Sequence, residues 1–333
     1  MARPASQARA PLGGTEGWPT AVDFVVVAYR SAGLLAECLD SIAADLQAPS
    51  AIGGWGVGST ITVVDNDSPD ESVDVARDHP AKAAVVSSAV NRGFGGGCNL
   101  GAAAGEAPYL FFLNPDARIS PGTTRLLLEE LERHATLGAV GPALSDPAGA
   151  YRAASAGFEP SLSSVIGHFL LLGRTPGLAR WFRPLQLARG SAERRPDWVS
   201  GAALMVRRAA FEQVGGFDDS MFMYMEDVDL CRRLRERGWS IGYVPEAAVL
   251  HELGGTQGLE QGSTWARAFH AYLARRRGIL YANACAVLAA VGLGLRSAAY
   301  LPARRALGLR LAHAAREFLR AATTVRPSTG LQP

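Results

Sequence analysis

Three short segments carry the side chains best suited to chemistry on a charged ligand: Asp65-Asn66-Asp67-Ser68, Asn114-Pro115-Asp116 and Met225-Glu226-Asp227-Val228-Asp229-Leu230. Asp116 closes the apolar run Tyr109–Leu113. A carboxylate so placed can hold a hard divalent ion that bridges two phosphates. In the third segment Val228, Cys231 and Leu234 fall on one helical face, which leaves Asp227 near a helix start and open to a crevice. A carboxylate there can take the proton of an attacking hydroxyl. The same helix start would lower its pKa and weaken it as a base, so it would act only as the hydroxyl becomes acidic. His251, after Val249-Leu250, can be a metal ligand or a satisfied loop histidine. Taken singly, Asp116 is also a turn residue after proline, and Glu226 and Asp227 are also partners of a helix dipole.

A fourth segment, Asn91-Arg92-Gly93-Phe94-Gly95-Gly96-Gly97-Cys98-Asn99, reads as a glycine-rich loop that lets backbone approach a ligand, or else as a tight turn that opens a helix. It is not the dinucleotide fingerprint, because the third glycine counted from Gly93 falls on Cys98, and counted from Gly95 on Leu100. Nor is it a P-loop, since no Gly-Lys-Ser/Thr follows.

These segments need strands to present them. Val22–Ala28 is a continuous apolar run suited to a buried parallel strand. Leu35, Cys38, Leu39 and Ile42 then recur at helical spacing. Thr60–Val64, Ala83–Val86, Tyr109–Leu113, Ala202–Val206 and Ile241–Val244 read as further strands. Helices are expected near Thr124–His134 and over Glu226–Arg237, the latter stopped by Gly238. The less regular stretch Tyr151–Pro196 reads as an insertion over the site. The alternation predicts an α/β fold with a mostly parallel central sheet flanked by helices. Ligands of such sheets bind beyond the carboxyl ends of the strands.

The chain has 333 residues, 48% hydrophobic and 19% charged, which excludes a disordered or fibrous protein. The net charge of +2 gives no basic surface for nucleic acid. The charge is unevenly spread: from Trp265 onward there are eleven Arg and one acid, Glu317. Four widely separated cysteines form no CxxC pair and fit a reducing compartment. Residues 1–20 read as a disordered leader, residues 21–260 as the catalytic domain and residues 261–333 as a basic helical extension. Gly278–Leu295 has no charged residue, with Arg275-Arg276-Arg277 before it and Arg296, Arg304 and Arg305 after. Leu307, Leu311, Ala315 and Phe318 form a later stripe. Together they predict two helices lying on the anionic inner face of a membrane. A span or a soluble helical extension are the alternatives.

The order and spacing of the motifs resemble glycosyltransferase family 2, the inverting enzymes of GT-A fold, and most of all bacterial rhamnosyltransferases of cell-wall and O-antigen type. The resemblance runs from about residue 22 to residue 255. It rests on Val25-Val26-Val27-Ala28-Tyr29, Val63-Val64-Asp65-Asn66-Asp67-Ser68, Asn91-Arg92-Gly93-Phe94-Gly95, Phe112-Leu113-Asn114-Pro115-Asp116, Trp198-Val199-Ser200-Gly201-Ala202, Gly215-Gly216-Phe217-Asp218 and Met223-Tyr224-Met225-Glu226-Asp227-Val228-Asp229-Leu230. The last two blocks in series are the most specific.

The resemblance implies a nucleotide-diphospho-sugar donor held by Tyr29, Asp65, Asn91, Arg92 and Gly93. It implies a Mg²⁺ or Mn²⁺ ion held by Asp116 and His251, a general base at Asp227 with Glu226 beside it, and sugar contacts at Trp198, Ser200 and Gly201. The acceptor it implies is a glycan or a polyprenyl-diphosphate-linked saccharide at the cytoplasmic face of the plasma membrane. The favoured donor is dTDP-L-rhamnose, with a UDP-hexose as the alternative. Asn114 stands where the family's DxD motif usually has its first Asp, which leaves one carboxylate fewer for metal. A processive synthase would need a QxxRW segment after Asp227, and none follows. A non-catalytic sugar-nucleotide-binding protein would tolerate loss of the Glu226-Asp227 pair, which is intact.

Overall fold

The computed structural model describes residues 21–47, 58–150, 155–175, 177–187, 191–252 and 258–324. Val22–Ala28 (β1) is buried at all seven positions, as expected of a strand covered on both faces. Helix α1 (Ala32–Gln47) buries Leu35, Cys38, Leu39 and Ile42, the four residues at helical spacing. The chain continues through β2 (Thr60–Asn66), α2 (Ser72–Asp78), β3 (Ala84–Ser88), α3 (Gly93–Ala102), β4 (Tyr109–Leu113), β5 (Ala117–Ile119), α4 (Thr123–Arg133) and β6 (Leu137–Ser145). Next come β7 (Ala156–Gly157), α5 (Leu162–Phe169), β8 (Trp198–Val199), β9 (Ala203–Arg207), α6 (Arg208–Gln213), α7 (Glu226–Glu236) and β10 (Ser240–His251). Three helices follow: α8 (Gly258–Arg277), α9 (Ile279–Tyr300) and α10 (Arg305–Thr324). The leader, residues 1–20, lies outside the described residues.

Eight strands form one sheet in the order β3-β2-β1-β4-β9-β6-β10-β5. The pairs β3–β2, β2–β1, β1–β4 and β6–β10 are parallel, whereas β9 runs against both neighbours and β5 against β10. One hydrophobic cluster lies on each face of the sheet. The first includes Phe112, Phe211 and Leu230 and continues into α8, α9 and α10, so the C-terminal helices share a core with the sheet.

Four differences from the sequence reading bear on the site and on the C-terminal helices. The glycine-rich segment is not a loop but a turn that opens helix α3, the second of its two readings, and its glycines serve packing. A Cβ at Gly97 would lie 2.6 Å from Val27 Cγ1, and one at Gly101 2.4 Å from Val25 Cγ1, so α3 rests directly on β1. Strand β6 was not anticipated, because Gly138, Gly141 and Pro142 break its apolar pattern. Pro142 is tolerated since β9 pairs with β6 at Ala139 and Val140, short of the proline. His251 is the last residue of a twelve-residue strand with a bulge between Val244 and Ala248, not part of a loop. Finally, Phe318, Ala315 and Ala321 of α10 are buried. The later part of the α10 stripe therefore faces protein, whereas Leu307 at its start is exposed: Phe318 packs on Phe169, Trp265 and Phe269 with ring centroids 5.4, 5.6 and 5.9 Å away.

A buried ion pair ties β1 to its surroundings. Asp23, 2% exposed, accepts bonds from Thr60 Oγ1 (2.6 Å), the Ala107 amide (2.9 Å) and Arg208 Nη2 (2.6 Å). Arg208 also donates to the Ala102 and Ala107 carbonyls. Removing the carboxylate leaves a guanidinium with little access to water. We expect Asp23→Ala to cost about 3–5 kcal/mol in urea unfolding; a loss under about 1 kcal/mol would show that the pair does not anchor β1.

Candidate active site

Strand direction alone gathers the site. Strands β1, β2 and β4 are parallel, so Tyr29, Asn66 and Asn114-Pro115-Asp116 leave the sheet at one edge. Two reversals of direction, at β9 and again at β6, bring the end of β10 and His251 to that same edge. Because β9 is antiparallel, its beginning also lies there, preceded by Ser200-Gly201-Ala202. The Asn114 amide donates to the Ala202 carbonyl at 3.0 Å, which closes the seam. Over this edge lies a cavity of about 540 Å³.

The start of α7 supplies one wall. Tyr224 and Met225 both adopt left-handed backbone, φ 67° and 70°, which costs about 1–2 kcal/mol per non-glycine residue. That turn sets Glu226 and Asp227 at the head of the helix beside the cavity. Asp227 Oδ2 accepts the Gly201 amide at 2.9 Å, and Oδ1 accepts the Val228 amide at 2.8 Å. A Cβ at Gly201 would meet Phe94 Cε1 at 2.9 Å, so the glycine lets backbone reach the carboxylate.

The helix start was expected to lower the Asp227 pKa. Burial instead raises it, outweighing the bonds from Gly201 and Val228. Glu226 is pushed up to about 8, by burial first and then by the charge of Asp227. Its Oε2 is buried without a hydrogen-bond partner. Two amide bonds favour charge on Asp227, while the unpartnered oxygen disfavours it on Glu226. The pair therefore ionises first at Asp227, giving a carboxylate more basic than one in water.

Across the cavity, Asp116 Oδ1 and Asn114 Nδ2 each lie 3.1 Å from His251 Nε2. One ring nitrogen cannot donate to the carboxylate and accept from the amide at once. A half-turn of the Asn114 amide would point three lone-pair atoms, two oxygens and one nitrogen, at a common space. A donor set of one carboxylate, one amide oxygen and one imidazole fits a divalent cation that also takes phosphate oxygens. Among the described residues no group of three His, Cys, Asp or Glu forms a complete protein cage.

Tyr29, Asn91 and Gly93 line the same cavity. Asn66 holds this end: its Nδ2 donates to Asn91 Oδ1 and to the Gly93 carbonyl, both at 3.0 Å, and its Oδ1 accepts the Arg92 amide at 2.9 Å. Gly93 has φ 72°, and a Cβ there would fall 2.0 Å from the Phe222 carbonyl oxygen. Trp198, Ser200 and Gly201 line the cavity as expected. Asp65 and Arg92 do not. Asp65 accepts the Ser68 amide at 3.0 Å, and Arg92 Nε donates to Ser88 Oγ at 3.2 Å.

Sequence reasoning missed Arg30 and Leu185 in the lining, and also Trp265 and Phe269 of α8. The two α8 rings stack with centroids 5.2 Å apart. Their i, i+4 spacing was visible, but the segment's arginines drew it into the basic tail.

Residues 23–188 match the family model described as Glycosyl transferase family 2, and residues 178–316 match Glycosyl transferase family group 2. The N-acetylglucosaminyl-diphospho-decaprenol L-rhamnosyltransferase of Mycobacterium tuberculosis is 36% identical over 221 residues, covering 61% of this chain and 70% of that protein. This chain belongs to glycosyltransferase family 2. A shorter match, 46% identical over 55 residues, joins it to the rhamnosyltransferase WbbL of Escherichia coli K12, covering 16% of this chain and 21% of that one. Among solved structures, the Pyrobaculum calidifontis mannosyltransferase PcManGT, in complex with GDP-Man and Mn²⁺, superposes with a TM-score of 0.57 at 18% identity. That superposition covers 91% of this chain and 87% of the other. The transferase therefore has the GT-A fold, followed by C-terminal helices.

The raised Glu226 pKa has a consequence for the stability of the transferase. The folded protein holds this proton up to about pH 8, whereas the unfolded chain releases it near the ordinary value of 4.5. The folded state thus binds more protons between these values, and this residue's contribution to stability falls as pH rises through that window. Glu226→Gln should melt higher than the wild type at about pH 9 and close to it at about pH 4. An equal difference at both pH values would contradict the shift.

Proposed function

We propose that this glycosyltransferase moves L-rhamnose from dTDP-L-rhamnose to a hydroxyl of a polyprenyl-diphosphate-linked saccharide, at the cytoplasmic face of the membrane, with inversion at the anomeric carbon. The observation that carries this reading is the position of Asp227 and of Asp116-His251 on the walls of one cavity. The similarity to a rhamnosyltransferase acting on a diphospho-decaprenol sugar supports the choice of donor and acceptor.

In this reading the donor diphosphate lies along Tyr29, Asn66, Asn91 and Asn114, with Arg30 as the cation at its rim. Asp116 and His251, joined by a turned Asn114 amide, would hold Mg²⁺ or Mn²⁺. When bound, that ion neutralises the departing diphosphate as a Lewis acid. The acceptor enters past Trp198, Leu185 and Trp265, whose apolar faces suit the C–H faces of a sugar. Asp227 takes the proton of the attacking hydroxyl. Each Asp227 oxygen spends one lone pair on a backbone amide and keeps another for that proton. Glu226, neutral at pH 7, removes a repulsion that would otherwise oppose ionisation of Asp227. A single displacement then breaks the bond to the diphosphate as the new glycosidic bond forms on the opposite face.

Two substitutions separate these roles. We expect Asp227→Asn to reduce turnover by about 10²–10⁴-fold with donor affinity nearly unchanged. We expect Asp116→Ala to abolish the gain in dTDP-L-rhamnose affinity on adding Mn²⁺. Nucleotide diphosphate release and titration calorimetry read the two effects. Retained turnover in the first variant would remove the base, and unchanged metal-dependent affinity in the second would remove the metal role.

A further inference from the structure

Helix α9 has an inner face and an outer face of different character. The inner face is built from small residues, Ala282, Cys285, Ala286, Ala289 and Gly292, all buried. A Cβ at Gly292 would lie 2.4 Å from the Phe169 carbonyl oxygen, so α5 fixes the rotation of α9. Its one amide, Asn283, bonds inward to His270 at 2.7 Å.

The outer face is Leu280, Ala284, Val287, Val291 and Leu295, an i, i+4, i+7, i+11, i+15 stripe. The four large side chains are 82%, 44%, 49% and 63% exposed. Helices that meet water place polar residues on this face. Here an apolar line runs much of the length of a 22-residue helix, about 33 Å. Leu301, Leu307 and Leu309 extend the exposed patch. Arg277 precedes it, and Arg304 and Arg305 follow it, all three exposed.

We infer that the outward stripe of α9 is a docking surface for an anionic lipid bilayer, with the helix lying in the plane of the interface and the arginines at its ends meeting headgroups. This rests on the membrane-linked acceptor proposed above for its purpose, although docking is read without any sugar transfer. Length and a mean hydropathy of 1.6 would by themselves allow α9 to span. Its packing against α8 and α10 does not, because those helices carry charged side chains that would enter the hydrocarbon with it. Charge also selects the occupant. A second copy would set one arginine-rich tail of net +10 against another, whereas anionic headgroups complement it. Since α8 carries Trp265 and Phe269 into the cavity and packs on α9, docking would hold the acceptor end of the cleft at a fixed distance from the lipid.

The test uses the full chain and sedimentation with phosphatidylcholine vesicles, with and without phosphatidylglycerol. The wild type should pellet with the anionic vesicles and be released by high salt. The triple variant Val287→Ser, Val291→Ser, Leu295→Gln should bind at least tenfold more weakly. Arg304→Glu and Arg305→Glu should each weaken binding by about fivefold or more. Unchanged melting and donor hydrolysis would show that the triple variant is folded. The inference is overturned if the wild type ignores anionic vesicles or if the triple variant binds as the wild type does. It is equally overturned if membrane-bound protein resists alkaline extraction, which would mean a span. A dimer that the triple variant dissociates, without vesicle binding, would show that a second copy covers the stripe. Vesicle binding without transferase activity would count against the proposed function and leave the docking surface standing.

Discussion

The site depends on one directional constraint: peptide strands in a parallel sheet all release the chain at the same edge. Strand β1 pairs Val26 with Val63 of β2 and with Leu113 of β4, so the three turns that follow these strands open side by side. The antiparallel strand β9 then sends the sheet onward while returning its own first residues to that edge. Groups from Tyr29 to His251 thus meet over one cavity without any of them needing a long loop. The Asp23–Arg208 pair lies near the opposite end of β1 and holds the strand against slipping.

On this frame the two acidic centres acquire different properties from different surroundings. Asp116 sits beside an imidazole and an amide, a polar setting suited to a cation. Glu226 is buried and Asp227 partly so, and withdrawal from water makes a carboxylate hold its proton more tightly. The left-handed pair Tyr224-Met225 shows that the fold accepts backbone strain to keep this helix start in place.

Much of this was legible in the sequence because apolar runs of the β1 and β4 type have few other structural meanings, and because Asp116 and Glu226-Asp227 stand directly at element ends. The errors have physical causes. Glycines in α3 look like a flexible loop, but the missing side chains serve contact with Val25 and Val27. The expected lowering at Asp227 weighed the helix dipole and could not weigh desolvation, which depends on the packing of distant segments. Asn66 goes unnoticed beside Asp65, although its amide can both donate and accept and so clamps residues 91–93. For the C-terminal helices, composition indicated apolar faces but not what covered them: α10 turns Phe318 into protein, and α9 turns Val287 outward.

The central claim is that Asp116-His251 and Asp227 serve a single bound donor. The most direct measurement is a crystal structure with Mn²⁺ and a non-hydrolysable dTDP-sugar, read by the anomalous signal of the metal. The account predicts one Mn²⁺ peak between Asp116 and His251, the diphosphate against it, and the anomeric carbon facing Asp227 with space for one hydroxyl between. A nucleotide seated away from this edge, or an anomeric carbon turned from Asp227, would contradict it.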